Sequence, residues 1–213
     1  MLRRGMIPVT ALPLLFLSAP GVATCGPLLN EIMADPARDW DGDGAYSYRG
    51  DEWVEIVNPG GAPLPLEGYF LTDDAGEPVY GFAGTLAPNS VLVIYGSESV
   101  AWEGLHGESA TGLRLGNDGD TLFLRQVLDG DTLVVDAYTY ASHEAEDDRS
   151  SGRWPDGGPV WALFDGLNSY GGDAAPAGTG VNPSPGIPNT GAPPNPTAVE
   201  RWGRIKALFA RLP

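Results

Sequence analysis

The sequence predicts an all-β chain folded as an antiparallel sandwich or barrel, and three observations lead there. Apolar residues recur with a period of two rather than 3.6 along most of the chain. The 213 residues include 30 Gly and 20 Pro, about twice the usual combined share, which suits many turns. Hydrophobic content is nonetheless 42%, with six Trp, eight Tyr and six Phe. That is too apolar for a disordered chain and enough to bury a core.

In chain order, the first segment is an address. MLRRGMIPVTALPLLFLSAPGVATC places Arg3 and Arg4 before an apolar stretch ending near Leu17, and small residues follow. This is the layout of a secretory signal peptide over residues 1–25. Pro8, Pro13 and Pro20 interrupt the stretch, so it suits neither a buried helix nor a membrane span of roughly 20 residues. Cys25 is the only cysteine, which excludes an intramolecular disulfide. It is either the lipidated first residue of a lipoprotein or an incidental thiol beside an ordinary cleavage point.

Strands follow. PLLNEIMADP alternates Leu29, Glu31 and Met33 against Leu28, Asn30 and Ile32. DEWVEIVNPG alternates Trp53, Glu55 and Val57 against Glu52, Val54 and Ile56. Further strands are expected at 68–73, 79–84, 90–96, 120–128, 131–140 and 160–164. Asp129-Gly130 between two of these runs is a strong hairpin signal. LAPNS (86–90) and GNDGD (116–120) are further turns. No stretch of the body repeats apolar residues at i, i+3, i+4 and i+7, so no helix is expected there.

Between the first two strands lies DWDGDG. Asp39, Asp41 and Asp43 alternate, with Gly44 at the sixth place, as in the first half of an EF-hand loop. The twelfth place is Gly50 rather than a bidentate Glu, and no flanking helices are signalled, so an EF-hand is excluded. Two readings stay open. One is a looser Ca2+ loop on Asp39, Asp41 and Asp43, completed by an oxygen of Asp51 or Glu52. The other is a solvated acidic turn whose glycines supply positive φ.

Catalytic signals are poor. Neither His106 nor His143 sits in a zinc-protease spacing, and no G-x-S-x-G elbow occurs. SHEAEDDRSSG (142–152) gathers His143 with carboxylates and serines, and reads as a mobile polar loop.

The order of these pieces resembles the lamin-tail domain family in its bacterial, secreted branch. The pieces are LLNEIMADP, DEWVEIVNPGGAPLPLEGYFLTDDAG, TLAPNSVLVIYG, GNDGDTLFLRQVLDGDTLVVDAYTY, SSGRWPDGG and NPSPGIPN, together spanning residues 28–189. The resemblance implies an immunoglobulin-like β-sandwich and a non-catalytic binding or structural module. At the matching positions, Trp53 is expected to anchor the core. Asn58-Pro59-Gly60 should end a strand, with Asn58 bonded to its own backbone. Gly68-Tyr69 should begin the next. Glu55 is expected to be a solvated or edge side chain.

After the sandwich, residues 190–197 continue a proline-rich stretch that reads as a stiff linker. Residues 198–213 then change character. Ala198, Trp202, Ile205, Leu208, Phe209 and Leu212 share one helical arc, and Arg204, Lys206 and Arg211 lie off it. Thr197 and Glu200 are placed as a capping box. This basic amphipathic helix is expected to pack on the body, lie on a membrane surface, or serve as a terminal attachment tag.

Charge limits the partners. Residues 26–190 hold 27 acidic and 6 basic side chains, a balance of −21. Such a body repels phosphate backbones, so nucleic acid is not an expected partner. The chain therefore reads as an exported cell-surface or envelope module that binds an unknown protein or surface. A calcium-dependent accessory module or an uncharacterised hydrolase is the alternative.

Overall fold

The computed structural model describes residues 26–74 and 76–190. The signal segment with Cys25, linker residues 191–197 and the C-terminal helix lie outside the described residues.

Period-two stretches become strands where one face finds apolar partners. β1 (Leu28–Met33) pairs antiparallel with β2 (Trp53–Val57), and β2 with β7 (Val91–Tyr95). β10 (Ser150–Arg153) and β11 (Trp161–Phe164) extend this sheet beyond β1, in the order β11-β10-β1-β2-β7. A second antiparallel sheet has the order β5-β4-β8-β9, from Pro78–Gly81, Tyr69–Thr72, Gly119–Leu128 and Asp131–Ala141. β3 (Leu64–Pro65) and β6 (Thr85–Leu86) make a small separate ribbon.

The two sheets enclose one apolar core, as a β-sandwich must. Val54, Ile56 and Ile94 come from the first sheet, and Leu71, Leu122 and Leu124 from the second. The β8–β9 turn is Asp129-Gly130, with φ of 53° and 90°, the positive pair that a tight hairpin requires. Arg153 and Asp136 form an ion pair at 2.9 Å across the sandwich edge, and Asp136 also accepts the Leu29 N–H at 3.0 Å.

The alternation expected for the first strand is broken. A bulge between Leu29 and Glu31 lets Leu29 and Ile32 both reach the core, because the extra residue, Asn30, resets the register. Glu31 and Met33 turn to the outer face. Trp53 is fully buried but also on that face, in register with Met33 and 6.1 Å from the Trp40 ring. It anchors the packing of loop 35–51 rather than the space between the sheets.

Besides the two-residue ribbon strands β3 and β6, two further elements depart from the sequence expectation. α1 (Gly96–His106) is a helix whose buried residues are Gly96, Ser99 and Glu103. These have helical spacing but no hydrophobic side chain. Ser99 donates to the Val79 carbonyl at 2.6 Å, and Glu103 accepts the Thr111 and Gly112 N–H groups at 2.6 and 2.8 Å. Glu98 reaches back to the Tyr95 N–H at 2.9 Å, and Gly107 (φ 77°) closes the C-terminus. β10 is equally disguised, since Ser-Ser-Gly-Arg has no apolar alternation. Its Ser150 and Ser151 are buried because they donate to the carboxylates of Glu31 and Glu144.

Candidate functional site

The loop between β1 and β2 brings Asp39, Asp41 and Asp43 together, with one carboxylate oxygen from each lying within 4.8 Å of the others. Local chemistry builds this. Gly42 and Gly44 take φ of 76° and 92° and donate to Asp39 at 2.7 and 2.9 Å. Asp41 and Asp43 each accept the backbone N–H two residues on, at 3.0 and 2.7 Å. Neither residue expected to complete a cation site joins the group. Asp51 is fully buried and spends its oxygens on the N–H groups of Trp40, Asp41 and Ser47 at 2.6, 3.1 and 2.7 Å. Glu52 turns away to the Leu115 N–H at 3.4 Å, where burial pushes its carboxyl up to about 8. GNDGD adds no carboxylate to the triad. Its Asp120 caps its own turn through Gly116 and Thr121.

The segment expected to be a mobile loop around His143 is instead a packed polar knot. Glu144 accepts from Tyr138 Oη at 2.6 Å, the Ala141 N–H at 2.8 Å and Ser151 Oγ. Asp148 accepts from Arg38, Ala37 and Trp40. Burial alone would raise its pKa, but these bonds hold it below the usual carboxylate range. Arg149 is buried and donates to the carbonyls of His143, Asn168 and Ser169. The His143 ring lies 4.7 Å from Tyr170. His143 and the carboxylates thus point to different partners.

Glu55 corrects a further expectation, because it is fully buried. It stands directly across the ladder from Glu31. Its Oε1 accepts Asn30 Nδ2 at 2.6 Å and its Oε2 accepts the Gly186 N–H at 2.7 Å. Glu31 accepts Ser150 Oγ at 2.6 Å, the Ser184 N–H and hydroxyl at 3.1 Å, and Asn189 Nδ2 at 3.4 Å. Burial raises both pKa values, that of Glu55 to about 7.

One feature with room for a ligand was not singled out by the sequence. An apolar groove of about 680 Å³ runs beside β5, the edge strand of the second sheet. Tyr80, Phe82, Trp102, His106, Pro78 and Val127 are its principal walls. Trp102 and His106, one helical turn apart on α1, stack at 4.2 Å with an interplanar angle of 21°. Tyr80 meets Phe82 edge-on at 5.2 Å and Trp102 at 6.2 Å. Gly81 makes this possible, because a Cβ there would stand 2.9 Å from Trp102 Cζ2. The spacing Tyr80-x-Phe82 was visible in the sequence as a strand face. The Trp102–His106 face was not, because nothing marked α1 as a helix.

The Lamin Tail Domain family model matches residues 23–142, more than half of the chain. The chain belongs to the lamin tail domain family. No curated protein and no solved structure matches it. This lamin tail domain carries its family signature on β1 to β9 and α1. β10, β11 and the segment up to Thr190 follow the match and complete the first sheet and its outer cover. The family is one of non-enzymatic, immunoglobulin-like domains, and the sandwich of antiparallel sheets agrees with that fold.

Proposed function

We propose that this lamin tail domain is an exported, non-catalytic module that binds or organises a component of the bacterial envelope or cell surface. The aromatic groove beside β5 carries this reading. It joins a concave apolar floor to an exposed imidazole where α1 packs along the edge strand β5, the kind of recess in which ligands are taken up. The signal-like residues 1–25 support export, and either Cys25 or the basic helix of residues 198–213 supplies attachment. Among the described residues no helix is long and apolar enough to cross a membrane. The −21 balance of the body argues for a protein or surface partner over nucleic acid. The divergent partners of His143, Glu144 and Asp148 weigh against a hydrolase.

The test is retention of the purified mature chain on isolated bacterial envelopes. Trp102→Ala and His106→Ala are each expected to lower retention tenfold or more while thermal unfolding stays cooperative. Unchanged retention in both variants removes the groove from the account. Intact-mass analysis of protein expressed with its own leader tests export, since an unprocessed N-terminus would contradict it.

A calcium-dependent module is the second reading, favoured by the convergence of Asp39, Asp41 and Asp43. Titration calorimetry at millimolar calcium is expected to give binding heat that Asp41→Asn abolishes. No heat and no thermal shift would end that reading.

A further inference from the structure

Glu31 and Glu55 face each other across the β1–β2 ladder, and no described residue supplies a counter-charge there. Like charges directly opposite on a sheet repel, and burial strengthens the repulsion. The groups packed around them from each neighbouring element do not relieve it. Asp156, from the turn after β10, is another carboxylate and is held by Asn30 Nδ2 at 2.9 Å and the Asn189 N–H at 3.0 Å. Tyr95 contributes a phenol from β7, whose pKa is raised by its burial, then by Glu98 and Asp41, and to a lesser degree by Glu55. Arg153, on β10, is committed elsewhere, to Asp136, the Leu29 and Gly158 carbonyls and the Trp161 ring. Residues 181–190 contain no charged side chain. No cation among the described residues therefore bonds to the pair, and both carboxylates cannot stay ionised without strong mutual repulsion.

The same two carboxylates accept four of the bonds that hold residues 181–190 in place. This strap forms no strand, and Ile187 is 65% exposed. Its bonds to the sheet are those of Ser184 and Asn189 to Glu31 and of Gly186 to Glu55. Asn189 Nδ2 also donates to the Arg153 carbonyl. The Asn189 N–H donates to Asp156 Oδ1 at 3.0 Å, and its carbonyl accepts the Asp156 N–H at 3.1 Å. The Val181 carbonyl accepts the Gly166 N–H at 2.8 Å.

We propose that Glu31 and Glu55 form a titratable latch, closed over the strap while the pair carries a proton and opened when that proton is lost. Loss of the proton leaves two opposed charges in a buried site, and lifting the strap admits the water that solvates them. The linkage has a definite sign. The closed state binds the proton more tightly than the solvated open state, so closure is favoured at acid pH and weakens as pH rises through about 7. Opening frees ten residues, roughly 30 Å of extended chain, between the sandwich and the residues beyond Thr190.

Hydrogen exchange of the mature chain, corrected for the intrinsic rate at each pH, tests this. The readout is strap opening (181–190) relative to opening of the β8–β9 hairpin. Between pH 5.5 and 8.5 the ratio is expected to rise about tenfold or more, with a midpoint near 7. In the double variant Glu31→Gln/Glu55→Gln, which leaves no titrating group at the latch, it should be flat whatever its starting level. Should that variant fold poorly, either single variant should show a clearly smaller rise than the wild type. A ratio that does not change with pH in the wild type overturns the latch. So does a rise that persists in the double variant, or one of wild-type size in both single variants.

Discussion

Asn58 shows how far one side chain type can be read from sequence. Its place before Pro59-Gly60 signalled a strand end, and its Oδ1 does accept the Gly60 N–H at 2.9 Å. What the sequence concealed is the other half of the amide. Nδ2 donates to the carbonyls of Ala62, Leu86 and Ala87 at 2.9 to 3.1 Å, tying the turn to the β6 end of the ribbon. Asn58→Ala leaves those buried groups without partners and should cost about 2–3 kcal/mol in urea unfolding. A loss below about 0.5 kcal/mol would mean water replaces the amide. Glu55 is the opposite case. Its identity and strand position were legible, but its burial was not, because the N–H it accepts belongs to Gly186, 131 positions away.

At the scale of elements, legibility followed the chemistry of the buried face. The strands rich in Val, Leu and Ile were visible as period-two runs, and the Asp129-Gly130 hairpin was visible from its turn. α1 and β10 were not, for one shared reason. Their buried residues are Gly96, Ser99 and Glu103 in one and Ser150, Ser151 and Gly152 in the other, so a hydropathy pattern passes over them. β10 also illustrates why a glycine sits inside a strand. A Cβ on Gly152 would stand 2.6 Å from Phe164 Cε2 and 2.9 Å from Glu31 Cγ. Gly152→Ala should therefore destabilise the chain by about 1–3 kcal/mol through overpacking. Thermal unfolding at the wild-type midpoint would show that the sheet yields instead. The aromatic groove was hidden with α1, since Trp102 and His106 on one face of that helix close one side of it.

For the whole molecule, the buried carboxylates set how stability varies with pH. Burial raises Glu52 from 4.5 to about 8 and Glu55 from 4.5 to about 7. A raised carboxylate means that the folded state holds the proton more tightly than the unfolded one. Its contribution is fully present below about 4.5 and is lost as pH climbs through 7 to 8. The melting temperature should therefore be higher at pH 5.5 than at pH 8.5, and Glu52→Gln should flatten the slope. A melting temperature that rises over the same interval would refute the assignment. What the sequence by itself determined was the all-β class, most strands of both sheets and the acidic triad. These rest on local alternation and short-range turn chemistry. Only the tertiary structure decided that Trp53 faces outward and that Glu31 and Glu55 lie sealed under residues 181–190. The outer face of the first sheet is buried by loop 35–51 and by segments that come after β11. A strand's own pattern of polar and apolar residues carries no record of what distant chain will cover it.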